Sequence, residues 1–127
     1  MAQKENNIIP MIFDEAFYRK MATQKWRQQD YKKAAEYYEK VLELSPEDFD
    51  IQQHYAQCLV KLNIGKKAEH LFYENIVKDF HVAESFYELS QLNIELNEPN
   101  KAFLFGINYV ILSDDKDFRE MLEKTFE

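Results

Sequence analysis

Residues 30–46 read DYKKAAEYYEKVLELSP, a helix-forming run that stops at a proline. Ala34 takes a core-facing position where a bulkier residue would bury more surface. The same choice recurs at Ala68 and Ala102, each 34 residues after the one before. Ahead of each alanine, by 12 residues, stands another small residue: Ala22, Ala56 and Ser90. A fixed period of this length, with two small sites per period, marks a repeated helix–turn–helix unit. Small side chains are needed where two antiparallel helices cross, because bulk at the contact would hold their axes apart.

Composition agrees with an all-α chain. The 127 residues hold only two glycines and three prolines, too few turn formers for a many-stranded sheet. With 46% hydrophobic and 15% aromatic residues the chain can bury a core. A formal charge of −7 argues against nucleic acid as partner, since phosphate rewards a basic surface. The one cysteine, Cys58, cannot form an internal disulfide and suits a reducing cytoplasm. No apolar run approaches membrane-spanning length, so no membrane role is expected. The segment IIPMIF at 8–13 lacks the basic leader and cleavage site of a secretory signal.

Laid on the 34-residue period, the chain resembles the tetratricopeptide repeat (TPR) family, with its W-x2-L-G-x2-Y, A-x3-F and P pattern. Repeat 1, about 15–48, carries Tyr18, Met21, Ala22, Ala34, Tyr38 and Pro46. Repeat 2, about 49–82, carries Tyr55, Ala56, Leu59, Ala68 and Phe72. Repeat 3, about 83–116, carries Phe86, Leu89, Ser90 and Ala102. The resemblance implies an α-solenoid of three repeats, with helices expected near 12–28, 31–44, 48–62, 65–79, 82–96 and 99–112. Asn63 and Asn97, 34 apart, are expected to end first helices in left-handed conformation, and Pro99 to open the next. Departures are Phe80 and Asp114 in place of proline, Gly106 in place of an aromatic, and Tyr109 and Asn75 at small-residue sites. Tyr109 is expected to swing into the space beside Gly106.

Both ends need covering in a repeat stack. At 113–127, Ser113 and Asp114 are cap candidates for a C-terminal capping helix, 117–127, with Phe118, Met121, Leu122 and Thr125 as its stripe. In the N-terminal arm, 1–14, Pro10 is expected to impose an extended entry after Ile8 and Ile9. The arm then seals repeat 1, lies in the groove, or joins two copies into a homodimer. Arm and repeats together are similar to the start of a group of cytoplasmic TPR proteins from Gram-positive bacteria. There, Ile-Ile-Pro precedes an entry like Asp14, Glu15, Phe17 and Tyr18, and further sequence follows the repeats.

Signs of chemistry are sparse. His54 and Cys58 share a helix face, but two ligands do not make a zinc site. No phosphate loop, nucleophile elbow or metalloprotease signature occurs, so neither an enzyme nor a cofactor is expected.

The family resemblance instead implies a groove lined by the first helix of each repeat. Its register assigns Ala16, Arg19, Thr23, Trp26 and Arg27 to the groove in repeat 1. Asp50, Gln53, Gln57, Val60 and Lys61 follow in repeat 2, and Glu84, Tyr87, Gln91, Ile94 and Glu95 in repeat 3. Trp26, Val60 and Ile94 then form an apolar ladder, which either touches a ligand or packs between helices. Charge runs from basic Arg19 and Arg27 to acidic Glu84 and Glu95, while Gln57 and Gln91 could pair with a ligand backbone. The carboxylate clamp of heat-shock co-chaperones is incomplete: Arg19 fits, whereas Thr23, Gln57, Tyr87 and Gln91 do not. The expected function is non-enzymatic binding of a peptide or protein segment in the concave groove. Alternatives are self-association through the arm or an end face, and a secretion-type TPR chaperone.

Overall fold

The computed structural model of the protein describes residues 2–125, with side chains from Glu15 onward. Its helices are α1 (Ala2–Arg27), α2 (Tyr31–Leu44), α3 (Phe49–Lys61), α4 (Gly65–Val77), α5 (Val82–Glu95), α6 (Pro99–Ser113) and α7 (Lys116–Thr125). The fold is an all-α helical repeat, with no strand among the described residues. From α2 to α6 the helices fall within two residues of the expected bounds.

The first helix differs. It is continuous from Ala2, so the backbone passes Pro10 as helix rather than as an extended entry. Proline forfeits one amide hydrogen bond and disfavours helix just before it, yet a long helix can carry that loss. The side chains of Ile8 and Ile9, on which the arm's roles rest, lie outside the described residues, as do Phe126 and Glu127 of the capping segment.

Helix ends follow a rule only part of which the asparagines reveal. Asn63 and Asn97 are left-handed (φ 62° and 59°), and so is Gln29 (φ 60°), 34 residues before Asn63. Each ends the first helix of a pair. After Gln29 the Asp30 amide donates back to the Lys25 carbonyl at 2.9 Å, and after Asn97 the Glu98 amide donates to Asn93 at 2.8 Å. These bonds satisfy carbonyls that the last turn would otherwise leave open. Pro99 opens α6, where its missing N–H costs nothing. Asp30 and Asp48 cap α2 and α3 by accepting from the amides of Lys33 (3.2 Å) and Ile51 (3.1 Å).

The chain divides into two compact units, one up to Asn63 and one from Ile64. In the first, α2 packs against both α1 and α3. Ala22, Ala34 and Ala56 are buried there beside Tyr38, Val41, Tyr55, Cys58 and Leu59. In the second, α5 packs against α4 and α6, and α6 against α7. Ala68, Ser90 and Ala102 are buried there with Phe72, Leu89 and Leu92. Ser90 and Ala102, one small pair of the repeat, touch: Ser90 Oγ donates to the Ala102 carbonyl at 2.8 Å. That bond satisfies a hydroxyl which burial would otherwise penalise.

Two expectations for the C-terminal end are corrected. The space beside Gly106 is taken by Leu122 of α7, not Tyr109. A Cβ at Gly106 would lie 2.7 Å from Leu122 Cδ1 and 3.0 Å from Ser90 Oγ. The cap of α7 is Asp115, whose Oδ1 accepts from the Phe118 amide at 3.0 Å. Asp114 is instead left-handed (φ 57°) and ends α6, and Ser113 Oγ donates back to the Tyr109 carbonyl. Of the expected α7 stripe, Phe118 and Leu122 are buried, Met121 is half-buried and Thr125 is exposed.

The small-residue contacts can be tested at Ala34, which is fully buried on α2. Ala34→Leu adds bulk where α1 and α2 meet and should cost about 1–3 kcal/mol by overpacking. A thermal melt should show the midpoint falling by several degrees. An unchanged midpoint would mean that the helix faces are assigned wrongly.

Candidate binding faces on the first helices

In the first unit the candidate residues project from α1 and α3. Arg19 is already committed. Its Nη2 donates to Asp48 Oδ2 at 2.7 Å and to Glu15 Oε1 at 3.1 Å, and Ser45 Oγ donates to the same Glu15 oxygen at 2.6 Å. The cluster ties α1 to the turn between α2 and α3. The hydrogen bonds from Ser45 and Arg19 hold the Glu15 carboxyl below its ordinary value. At Asp48 burial pushes the pKa upward, but the Ile51 amide and Arg19 together outweigh it and the net shift is downward. The Arg19 pKa rises, chiefly through its bond to Asp48.

Arg19, Thr23 and Arg27 nevertheless border one open depression of about 550 Å³ along α1. Lys20 and Gln24 complete its lining. The family register omitted these two, although spacings of i, i+4 and i+8 from Lys20 and Arg19 would have grouped them. With Arg19 neutralised by two carboxylates, Lys20 and exposed Arg27 supply the positive charge. Thr23 Oγ1 donates to the Arg19 carbonyl at 3.0 Å.

Trp26 is half-buried in an aromatic cluster. Its ring meets Tyr31 edge-on at 5.3 Å and His54 at 6.1 Å. Lys61 Nζ stands 5.9 Å from the Tyr31 ring centre, a cation–π contact. His54 stacks on Tyr38 at 6.0 Å, while Cys58 is fully buried and burial pushes its thiol up to about 12. Such a thiol stays protonated and unreactive. Among the described residues, no group of three or more His, Cys, Asp or Glu side chains could hold a metal. Gln57 and Val60 are half-exposed, and Ala16, Asp50 and Lys61 exposed. Gln53 is corrected: it is 3% exposed, so a ligand on the surface of α3 does not reach it.

In the second unit the candidates lie on α5. Glu84, Ile94 and Glu95 are exposed, with Tyr87 and Gln91 half-exposed. Tyr87 leans on Tyr109 (5.2 Å) and Phe118 (5.3 Å), and those two rings meet edge-on at 4.9 Å. Tyr109 Oη donates to Asp115 Oδ2 at 2.7 Å, so the residue that caps α7 also fixes the ring supporting Tyr87. Gln91 Nε2 stands 3.5 Å from Tyr87 Oη, at the long limit of a hydrogen bond. Among the described residues no helix is long and apolar enough to cross a membrane.

The helix pairs, their 34-residue period and their small-residue contacts define a helix–turn–helix repeat protein. In comparison with known families, residues 25–72 match the tetratricopeptide repeat model. Solved structures share the fold. One, the MamA protein, has a TM-score of 0.70 at 20% identity over 80% of this chain and 55% of that one. The chain thus spans about half the length of that MamA chain. Another, the TPR2B domain of yeast Sti1 in complex with pHsp70, has a TM-score of 0.70 at 16% identity, over 88% of this chain and 92% of that one. No curated protein sequence matches significantly. The chain therefore has the fold of the tetratricopeptide repeat proteins and, over residues 25–72, resembles them in sequence.

The Asp48 cluster sets a stability test with a definite sign. A lowered folded pKa means stability present above the unfolded value of 3.8 and lost as pH falls through the folded one. Asp48→Ala removes both cap and partner and should cost about 1 kcal/mol near neutrality. Asp48→Asn keeps a capping oxygen but cannot titrate. Its stability should fall less steeply than wild type between roughly pH 5 and pH 3 in urea denaturation. Equal slopes would show that the folded state does not hold the Asp48 carboxyl below its ordinary value.

Proposed function

We propose that this chain binds a peptide or protein segment on the groove-facing residues of its first helices, and that it does no chemistry of its own. The observation that carries the reading is the depression on α1. Its wall, in which Lys20 and Arg27 supply the positive charge beside Arg19, Thr23 and Gln24, suits a segment rich in carboxylates. Half-buried Trp26 lies one residue before Arg27 and supplies apolar contact. On α5, taken by itself, exposed Glu84 and Glu95 favour basic residues. An acidic chain whose one cysteine is buried suits action in the cytoplasm on protein rather than nucleic acid. The pHsp70 complex of the Sti1 domain is a precedent for binding by this fold, not for this partner.

A displayed random-peptide library selected on the full chain tests the reading. Acidic segments should be enriched. Trp26→Ala should weaken their binding by about 30-fold, roughly 2 kcal/mol. Arg27→Glu should slow association and reduce its salt dependence, with helicity unchanged. If both folded variants bind the selected peptides as tightly as wild type, α1 is not the site. A library without enrichment would argue against linear segments altogether.

A further inference from the structure

Arg19 borders the α1 depression, yet it has little to offer a ligand there. Both of its ion-pair bonds leave from one nitrogen: Nη2 donates to Asp48 Oδ2 at 2.7 Å and to Glu15 Oε1 at 3.1 Å. That nitrogen carries two hydrogens, and both are spent. Among the described residues, Nε and Nη1 donate to nothing. A carboxylate is gripped best by two parallel N–H bonds. The two forks a guanidinium offers are Nε with Nη2 and Nη1 with Nη2, so each needs a hydrogen of Nη2. Neither fork is open.

The two carboxylates that close them differ in what else they do. Asp48 is built into the start of α3, where its Oδ1 accepts from the Ile51 amide, and its side chain is 19% exposed. Glu15 lies within α1 and caps no helix. Its contact with Arg19 spans one helical turn, between side chains 34% and 40% exposed. Water and salt weaken such a pair most. Ser45 Oγ steadies Glu15 from outside α1, donating to the same oxygen at 2.6 Å.

We propose that Arg19 is a latent carboxylate subsite of the α1 depression and that Glu15 is its latch. The proposal rests on α1 being the face that takes acidic segments. A segment first meets the exposed cations Lys20 and Arg27. One of its carboxylates then displaces Glu15 and takes the freed Nη2 hydrogen together with Nε or Nη1, whichever lies beside it. Asp48 keeps the other hydrogen and holds the arginine in place. The guanidinium exchanges one carboxylate for another, and Glu15 turns to water, so no charge is left buried and unpaired. Glu15 therefore lowers affinity twice over, by occupying the fork and by repelling an approaching anion.

Fluorescence anisotropy of a labelled oligoglutamate peptide, titrated with the full chain at low salt, tests this. Glu15→Gln should tighten binding by about three- to tenfold. Glu36→Gln removes the same charge from an exposed side chain of α2 that has no bonding partner among the described residues. It should change affinity by less than about twofold. In an Arg19→Met background, the gain from Glu15→Gln should shrink to that of this control. Ser45→Ala withdraws the bond that steadies Glu15 without altering charge, and should tighten binding by a smaller factor. It decides the matter if Arg19→Met, which strips Asp48 of its counterion, loses the far-UV circular dichroism of wild type. If Glu15→Gln binds no more tightly than Glu36→Gln while Arg27→Glu still weakens binding, the latch is overturned and α1 remains the site. An equal gain without Arg19, or an unchanged affinity in Ser45→Ala where that variant does not fold, overturns it as well. If no variant binds oligoglutamate, Glu15→Gln included, α1 is not an acid-binding face and both readings fall together.

Discussion

The contact on which this molecule depends is the close approach of helices at side chains too small to keep them apart. Ala22, Ala34, Ala56, Ala68, Ser90 and Ala102 are all buried. Bulk at a crossing cannot be accommodated by rotating a side chain away, because a packed interior has no spare volume. The surrounding bulky residues, such as Tyr38, Val41, Phe72 and Leu89, can bury their full area only once that approach is made. Ser90 shows how the constraint tolerates polarity. Its hydroxyl fits where alanine would, provided the Ala102 carbonyl receives it.

The second constraint is where each helix stops. A left-handed residue at Gln29, Asn63 and Asn97 ends each first helix at the same point of the period. The capping side chains then take on further work. Asp48 caps α3 and also binds Arg19, and Asp115 caps α7 and also binds Tyr109. In each case one carboxylate fixes a helix start and anchors a side chain from another helix. Local sequence chemistry and tertiary packing are joined in a single group.

The period made most of the fold legible, because repeated helix pairs bury equivalent positions and equivalent positions need similar side chains. Asparagine flagged two left-handed ends, but Gln29 carries no such signature, and only the period points to it. What escaped the sequence was non-local. Arg19 looks like a groove cation until Asp48, far along the chain, is found 2.7 Å away. Gln53 has the polarity of a surface residue, yet α3 turns it inward. Gly106 announced a vacancy without saying that Leu122, on a helix outside the three repeats, would fill it. The amphipathic spacing of α7 showed a stripe to be buried but not its target.

Helix α7 links the fold to the candidate face of α5 more closely than a simple lid would. Its apolar stripe is divided: Leu122 enters the gap at Gly106, and Phe118 closes on Tyr87 and Tyr109. Tyr87 is the aromatic candidate contact on α5, and two of the groups that hold it, Phe118 and, through Tyr109, Asp115, lie beyond the last repeat helix. Bulk at Gly106 would therefore press on Leu122, and through the short α7 on the ring beside Tyr87. The candidate face of α5 is thus positioned partly from outside the repeat pattern. The register alone names its residues, but the packing of α7 decides how they are presented.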